Sequence, residues 1–488
     1  MKVLDPIIKD VVLVGSGHAH VQLLKNFAMS PVNGARLTLI SDRGFAPYSG
    51  MLPGYLAGWY DFDDIHFDLR QICQKAGVVF ILDKVVGINT QTQEIILANR
   101  PSLKYDVASI NVGSTPSLKQ DISPKNLLPL KPIAPFLEGW QAFQENLKNN
   151  QGVLKVALVV GGASGIEVSM IIKKQLAQIN PRSSVSLFQS GSTLLPGHST
   201  RAAKKLEQVL KSQGVDFYLN KKATHFDGHR LFFDNSEDDG FDFVFWATQA
   251  AAPAWFKKSG LPTTPEGFLK VDSFLNVLGH RNLFGAGDCI EFNGQNLPKS
   301  GVYAVRQGQP LGINIRGLLT KKPSLTAYRP QKHALALVTL GDKNVLASRG
   351  PLVTQGRYLW QLKDKIDRNF MLRFADYSNM NQNNRDEVAV INKTIANTCG
   401  GCGSKISPEV LSRLMKRLPQ TQDENVLIGL AEPDDAAVIC SRPGFARVES
   451  VDFFRTFTSD LYFFGQVAAL HSLSDIYAMG ATPQTAMA

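Results

Sequence analysis

Two glycines with one residue between them, Gly15 and Gly17, follow a short run of branched apolar residues. They precede a stretch in which apolar residues recur at helical spacing. Such glycines allow a tight turn from strand to helix and admit a pyrophosphate at the positive helix N-terminus. Asp42 ends the next apolar run. The number of residues between the glycines and Asp42 is close to that expected when a carboxylate binds the cofactor ribose. His20 stands where a third small residue is usual, so local helix–strand packing is expected to differ. These residues predict a dinucleotide site rather than an ordinary turn.

A second glycine-rich turn, at Gly161, Gly162 and Gly165, repeats this pattern about 146 residues later. Val160 occupies the position of its first glycine, and the following predicted strand ends in Gln189 rather than an acid. The usual acceptor for the ribose 2′-hydroxyl of NAD is therefore missing. The pattern predicts nicotinamide binding, with a degenerate fold that binds nothing as the alternative.

A later pair, Gly287-Asp288, ends an apolar run and has the form of a flavin contact. The glycine admits the cofactor, and the carboxylate accepts hydrogen bonds from ribitol hydroxyls. Residues 46–54 contain too many turn formers for a regular element. They are predicted to form an irregular loop, either on the surface or over a flavin ring.

Near the C-terminus, residues 398–408 are rich in glycine and contain Cys399, Cys402 and Lys405. A Cys-x-x-Cys pair suggests zinc, but zinc takes four ligands and no second pair follows. Dense glycine beside a lysine suits phosphate better.

Three carboxylates, Asp435, Asp452 and Asp475, border apolar runs in the same part of the chain. Buried carboxylates need a cation, and oxygen ligands suit Mg²⁺ held against nucleotide phosphates. Surface loops that carry acid are the alternative.

Two or three domains must position these residues, because 488 residues exceed the size of one hydrophobic core. The net charge is +10, yet residues 396–488 carry −3, so the preceding part carries +13. No run is long and apolar enough for a membrane helix, and five irregularly spaced cysteines make no disulfide framework. Without interleaved aromatic and basic residues, nucleic acid is not an expected partner. We expect a cytoplasmic protein.

The electron acceptor is constrained by the cysteines, because no pair lies near the first turn to relay electrons to a disulfide. Quinone, oxygen or a small chalcogen species remain. In the helical segment 357–370, Leu359, Leu362, Ile366 and Phe370 share one face beside basic residues. This face is expected to pack on its own domain, with a peripheral membrane position as the alternative.

Over residues 9–375 the chain resembles the two-dinucleotide-binding-domain flavoproteins, in particular the type II NADH dehydrogenase-like branch. The resemblance rests on the motifs at 15–20, 48–54, 161–167, 287–288 and 301–308. It implies that Gly15, Gly17, Asp42 and Asp288 hold FAD, with Gly287 beside them, and that Gly161, Gly162, Gly165 and Glu167 line an NAD(P)H site. Departures at His20, Val160, Gln189 and Gln249 concern mainly the nicotinamide specificity.

Residues 396–488 resemble selenide, water dikinase, the enzyme that makes selenophosphate from selenide, ATP and water. The resemblance implies that Cys402 is catalytic, that Lys405 contacts phosphate, and that Asp435, Asp452 and Asp475 bind magnesium for ATP. Ser404 and His471 depart from its usual residues. The remaining half of that family lies beyond Ala488, so the kinase is expected to be active only in a longer, homodimeric chain.

Taken together, these patterns predict an α/β protein with two Rossmann-like folds, followed by part of a PurM-like α+β domain. The expected boundaries are residues 1–384 for the oxidoreductase, with an NAD(P)-binding insertion at about 152–270, then a linker at 385–397 and the kinase part at 398–488. The predicted activity is FAD-dependent oxidation of NAD(P)H, with quinone at a membrane surface among the acceptors. A non-catalytic flavin-binding regulatory module is the alternative.

Overall fold

The structure, a computed structural model, describes residues 7–116, 124–149, 152–160, 162–234, 237–248, 250–295, 297–320, 325–375, 418, 423–430, 434–452 and 456–486. The chain divides into two compact units, residues 1–377 and 378–488. The predicted linker at 385–397 and the glycine-rich loop at 398–408 lie outside the described residues. No helix in the described ranges is long and apolar enough to cross a membrane.

Eleven helices of four or more residues lie in the described ranges: α1 (His18–Met29), α2 (Leu52–Leu56), α3 (Phe62–Ile65), α4 (Leu69–Ala76), α5 (Ile133–Asn149), α6 (Ala163–Ile179), α7 (Thr200–Ser212), α8 (Trp255–Lys258), α9 (Gly301–Leu319), α10 (Tyr358–Ala375) and α11 (Leu461–Ala478).

The strands of the first unit begin with β1 (Lys9–Val14), β2 (Ala35–Ser41), β3 (Phe45–Pro47), β4 (His66–Asp68), β5 (Val79–Leu82), β6 (Val85–Asn89), β7 (Glu94–Leu97), β8 (Leu103–Lys104), β9 (Val107–Ile110), β10 (Thr115–Pro116), β11 (Leu127–Pro129), β12 (Lys155–Val160), β13 (Ser184–Gln189) and β14 (Asp216–Tyr218). They continue with β15 (Ala223–Phe226), β16 (Arg230–Phe233), β17 (Glu237–Gly240), β18 (Phe243–Ala247), β19 (Ala250–Ala251), β20 (Leu269–Val271), β21 (Leu283–Gly285), β22 (Ile290–Phe292), β23 (Ala336–Thr339), β24 (Val345–Arg349) and β25 (Leu352–Gly356). The second unit contributes β26 (Val426–Ile428), β27 (Ala437–Arg442) and β28 (Phe445–Glu449).

Two parallel five-stranded sheets form the centre of the first unit, with orders β21-β9-β1-β2-β5 and β11-β18-β12-β13-β14. The strands β1 and β12 are buried along most of their length, and one face of the second sheet packs against residues of β15 and β16. β21 rejoins the first sheet after the whole second sheet has been formed, so the second fold is inserted into the first. The α/β class with two Rossmann-like sheets is confirmed.

An antiparallel sheet, β23-β24-β25, completes the first unit and is followed by α10. Leu359 and Phe370 of α10 are buried, whereas Leu362 and Ile366 are exposed. These four residues were expected to pack together on their own domain, but only two of them do. The buried side of α10 also contains Lys363 and Asp367, and the exposed side keeps an apolar stripe.

The second unit pairs a three-stranded antiparallel sheet, β26-β27-β28, with α11. Asp460 caps α11 by accepting from the Phe463 backbone N–H. None of its residues is buried, and Leu461, Leu470 and Tyr477 are each at least 60% exposed. An apolar helix normally lies in a core. The described residues of this unit do not supply a core around it.

Candidate functional site

The first glycine-rich turn joins β1 to α1, and three glycines converge there on Asn111. Gly15 and Gly287 both have positive φ, +88° and +77°. A Cβ added to Gly15, Gly17 or Gly287 would overlap atoms of Asn111. The Asn111 side-chain Nδ2 is buried and has no hydrogen-bond partner among the described residues. A buried donor without a partner is costly unless a ligand satisfies it, so this cradle fits the phosphates of a dinucleotide.

His20 fills the position of the third small residue with a hydrogen-bonded ring. Its Nδ1 lies 2.6 Å from the Gly15 carbonyl oxygen and its Nε2 lies 2.8 Å from Ser109 Oγ. A carbonyl only accepts, so Nδ1 carries the proton and Nε2 accepts from the serine hydroxyl. Burial lowers the pKa of His20 to about 4, although the bond to Gly15 acts in the opposite direction. The expected local difference in helix–strand packing is this neutral imidazole.

The two carboxylates predicted to bind FAD lie in different environments. Asp42 directly follows β2, is exposed, and has no hydrogen bond or ion pair to any described residue. Asp288 lies in a short 3-10 helix, Gly287–Cys289, and accepts a 2.7 Å hydrogen bond from Lys131 Nζ. Lys131 follows β11 of the second sheet, so this ion pair joins the two folds. Nothing in the sequence marked Lys131.

His18, the first residue of α1, lies against the same region. Its ring stacks near Phe370 and lies 5.4 Å from the Tyr48 ring. Burial lowers the pKa of His18 to about 4, while the Asp288 carboxylate acts to raise it. Like Asn111 Nδ2, Nε2 of His18 is buried and without a partner in the described ranges. A ligand placed at the glycine cradle would be within reach of a neutral imidazole.

Residues 46–54 were predicted to be wholly irregular, and that prediction is wrong at both ends. β3 ends at Pro47, and α2 begins at Leu52 with Pro53 in its first turn, where a missing N–H has no cost. The stretch between them is irregular. It is tied to α10, because Lys363 Nζ donates to the Gly50 carbonyl at 2.6 Å.

A group of buried charges lies where α10 meets this stretch and α6. Lys363 and Asp367 form a 2.6 Å ion pair in which both side chains are less than 10% exposed, and Tyr48 donates to Asp367 at 3.1 Å. Glu167 on α6 is buried and accepts from the Thr339 backbone N–H at 2.7 Å. Burial raises the pKa of Glu167 to about 7, although Lys363 acts to lower it. A carboxyl group with this pKa exchanges its proton near neutral pH.

The second glycine-rich turn joins β12 to α6, and Gly161 lies outside the described residues. Gly162 precedes the first residue of α6 and has open space around it. A Cβ on Gly165 would overlap the Val160 side chain, so helix and strand pack closely there. Gln189 ends β13, donates through Nε2 to the Thr193 carbonyl at 3.4 Å, and has a buried Oε1 without a partner among the described residues. Gln249 also lies outside the described residues.

The described cysteines of the first unit are unsuited to a dithiol relay. Cys73 and Cys289 are fully buried in its core. Burial raises the pKa of Cys73 to about 12 and that of Cys289 to about 11, so both stay protonated.

In the second unit, two of the three predicted magnesium ligands are associated with α11. Asp452 contacts a residue of this helix, and Asp475 belongs to it. Asp452 lies 2.9 Å from His471 Nδ1, and Asp475 accepts a 2.8 Å hydrogen bond from Ser450. His471 and Asp475 are one helical turn apart. Asp435 is exposed, and no group of three ligating side chains is found within residues 423–486 that the structure describes. Cys402 and Lys405 lie outside the described residues.

Comparison with known proteins covers both units. The sequence model of the pyridine nucleotide-disulphide oxidoreductase family matches residues 9–308, and that of the AIR synthase related protein N-terminal domain matches residues 433–488. Selenide, water dikinase of Clostridioides difficile (strain 630) is 47% identical over 91 residues, 18% of this chain and 26% of that protein. Ferroptosis suppressor protein 1 of Xenopus tropicalis is 28% identical over 264 residues, 51% and 66% of the two chains. The chain therefore spans about a quarter of the length of the first relative and just under two thirds of the second.

Two solved structures share the fold of the first unit. The sulfide:quinone oxidoreductase of the hyperthermophilic bacterium Aquifex aeolicus has a TM-score of 0.65 at 17% identity, and the match covers 82% of this chain and 99% of that one. NDH2 of Plasmodium falciparum, solved in complex with NADH, has a TM-score of 0.64 at 17% identity, covering 75% and 97%. Both resemblances drawn from the sequence are confirmed at the level of family and fold.

Proposed function

We propose that this chain, which belongs to the pyridine nucleotide-disulphide oxidoreductase family, is an FAD-dependent oxidoreductase that takes electrons from NAD(P)H. The observation that carries the proposal is the cradle around Asn111, where Gly15, Gly17 and Gly287 meet and a buried donor has no partner among the described residues. Asp42, which follows β2, and Asp288, which follows Gly287, are the proposed acceptors for hydroxyl groups of the cofactor. FAD, when bound, supplies a centre that accepts a hydride and releases electrons.

The residues of the chain have separate tasks in this proposal. Asn111 Nδ2 donates to the cofactor phosphates, and Asp42 and Asp288 accept from its hydroxyls. Lys131 holds the Asp288 carboxyl group in place through a hydrogen bond. In the second fold, Gly162 leaves the N-terminus of α6 accessible to the pyrophosphate of NAD(P)H. Gly161, Gly165 and Glu167 stay assigned to that site.

The acceptor we propose is a quinone or a small chalcogen species that reacts directly with the flavin. The buried thiols of Cys73 and Cys289 do not support a dithiol relay. A fold neighbour bears the name sulfide:quinone oxidoreductase, in which quinone is the electron acceptor and sulfide the donor. Reduction of a quinone consumes protons, and Glu167 holds a proton that it can exchange near pH 7.

A quinone would be reached at a membrane surface, and α10 carries the features for a peripheral position. Tyr358, Leu362 and Ile366 form an exposed apolar stripe at i, i+4 and i+8, and Lys365 lies beside it. An apolar stripe beside basic side chains suits the interface of an anionic membrane. The cytoplasmic location with peripheral membrane contact stays a proposal.

For residues 398–488 we propose a role in selenide, water dikinase activity, with ATP and Mg²⁺. The support is the 47% identity with the relative from Clostridioides difficile, together with the pairs Asp452–His471 and Ser450–Asp475. The matched stretch is about a quarter of that relative, so the activity is proposed for a chain that contains the complete domain, as a homodimer. A fusion of the two parts points the oxidoreductase toward selenium chemistry.

The test begins with flavin binding. Purified protein should show a flavin absorption band and release FAD on heating. Asp42→Ala should weaken FAD binding by roughly 10-fold to 100-fold, because a charge-assisted hydrogen bond contributes about 1.5–3 kcal/mol. Asp216→Ala removes an exposed aspartate from the second fold and serves as control. Colourless protein that takes up no added FAD would refute the flavin site.

The second step is anaerobic mixing with NADH and with NADPH in a stopped-flow instrument. Loss of the flavin band with either nucleotide supports the oxidoreductase. If neither NADH nor NADPH changes the flavin band, the chain is instead a non-catalytic flavin-binding module. The atypical residues Val160 and Gln189 are the reason for this alternative.

A further inference from the structure

A cleft on the surface of the first unit lies between α7 and β25, and no residue of either glycine-rich turn lines it. Its volume is about 590 Å³, within the range of roughly 300–1,000 Å³ found for small-molecule sites. Its lining is polar except for one valine: Thr200, Arg201, Lys204, Lys205, Gln208, Val353, Thr354 and Gln355. The established motifs of the chain include none of these residues.

The positive charge of the cleft is concentrated on one face of α7. Arg201, Lys204, Lys205 and Gln208 follow the spacing i, i+3, i+4 and i+7, which places them on one side of a helix. The opposite side packs into the core of the second fold, as Leu206 shows. No carboxylate lines the cleft, and none of the three cations forms an ion pair with any residue that the structure describes.

This arrangement is electrostatically unfavourable for α7 itself. The N-terminus of a helix carries partial positive charge and favours acidic residues, yet the first turn of α7 has none and includes Arg201. Arg201 and Lys205, four residues apart, also repel each other. A bound anion would relieve both effects. The three cations therefore destabilise α7 when no ligand is present and favour binding when an anion is available.

The remaining groups that line the cleft restrict the chemical class of the ligand. Thr200 provides a hydroxyl donor for phosphate oxygens. The Thr354 hydroxyl is bonded to the Tyr358 hydroxyl at 2.9 Å and can donate to a ligand when it accepts from that tyrosine. Gln355 Oε1 is a buried acceptor without a hydrogen-bond partner in the described ranges, and it requires a donor such as a ligand hydroxyl. We propose that this cleft binds a small phosphorylated molecule with adjacent negative charges and free hydroxyl groups, in the class of sugar phosphates.

Binding is tested by calorimetry on the whole chain, loaded with FAD and then freed of unbound FAD, with fructose 1,6-bisphosphate and inorganic pyrophosphate as probes. The variant Arg201→Gln/Lys204→Gln/Lys205→Gln should bind the sugar bisphosphate at least tenfold more weakly than the unaltered chain. The control variant Lys148→Gln/Lys257→Gln/Lys258→Gln removes the same charge from exposed lysines of α5 and α8 and should bind as the unaltered chain does. Raising the salt concentration should weaken binding.

Thermal unfolding provides a second readout that a folding defect would not imitate. Without a probe, the α7 variant should unfold at the same temperature as the unaltered chain or a higher one, because repulsion has been removed. With sugar bisphosphate, only the unaltered chain and the control should gain stability. The proposal is wrong if neither probe saturates, if both triple variants lose binding equally, or if pyrophosphate binds as tightly as the sugar bisphosphate, which would leave no role for Gln355.

Discussion

Replacing Glu167 with glutamine should change how the stability of the protein depends on pH. The side chain is buried, and its pKa is raised from 4.5 to about 7 because burial penalises the ionised form. In the unfolded chain the group ionises near its ordinary pKa. Between the two values the folded state holds more protons than the unfolded state, so stability falls as pH rises through that window. Glu167→Gln keeps an acceptor for the Thr339 N–H and removes the titration.

The size of the effect follows from the shift. A change of one pKa unit corresponds to about 1.4 kcal/mol, so a shift from 4.5 to about 7 destabilises the folded state by about 3 kcal/mol once the group is ionised. About 2 kcal/mol of this loss falls between roughly pH 5.5 and roughly pH 8. The free energy of unfolding of Glu167→Gln, relative to the unaltered chain, should therefore rise by about 2 kcal/mol over that interval.

Urea unfolding at several pH values measures this difference directly. Glu138→Gln, a substitution on α5 of a glutamate whose side chain is 69% exposed, is the control and should change stability by less than about 0.5 kcal/mol at each pH. A difference between Glu167→Gln and the unaltered chain that does not vary with pH would show that Glu167 ionises normally in the folded state. That result would also remove Glu167 as a proton donor near neutral pH.

Two further substitutions test the buried polar groups. His20→Gln should resist acid better than the unaltered chain: the folded pKa of His20 is about 4, so its stabilising effect is lost as pH falls from about 6.5 to 4, by about 3 kcal/mol. Acid titrations of the two proteins that run parallel would contradict this. Lys363→Met should cost about 3–5 kcal/mol in urea unfolding, because it leaves Asp367 buried and uncompensated. Lys363→Met/Asp367→Leu should be less destabilised than the single variant, and an additive double variant would argue against the ion pair.

Sequence reasoning found the parts of the site that local spacing encodes. Gly15, Gly17 and Asp42 lie within one strand–turn–helix–strand unit, and their positions follow from the geometry of that unit. Asn111 and Lys131 carry no local signal, because they reach the site only after strands distant in sequence join the sheets. The buried pair Lys363–Asp367 was hidden for a different reason: on an amphipathic helix, lysine and aspartate are expected on the outer face. Only the contacts of α10 with residues near Gly50 and with Tyr48 show that they point inward.

The two glycine-rich turns are alike in topology, but different side chains pack against their glycines. At the first turn, Gly15, Gly17 and Gly287 pack closely on Asn111, whose buried Nδ2 has no partner among the described residues. At the second, Gly165 is required because Val160 fills the adjoining space, so it reports close packing of α6 on β12. Gly165 alone is thus weak support for a pyrophosphate. The proposal of NAD(P)H binding depends more on the open N-terminus of α6 at Gly162 and on Gln189. The Oε1 of Gln189 is an uncharged acceptor without a partner among the described residues. In the proposed NAD(P)H site, an uncharged acceptor at the end of β13 would not repel a 2′-phosphate as a carboxylate would, so we expect no discrimination against NADPH from this position.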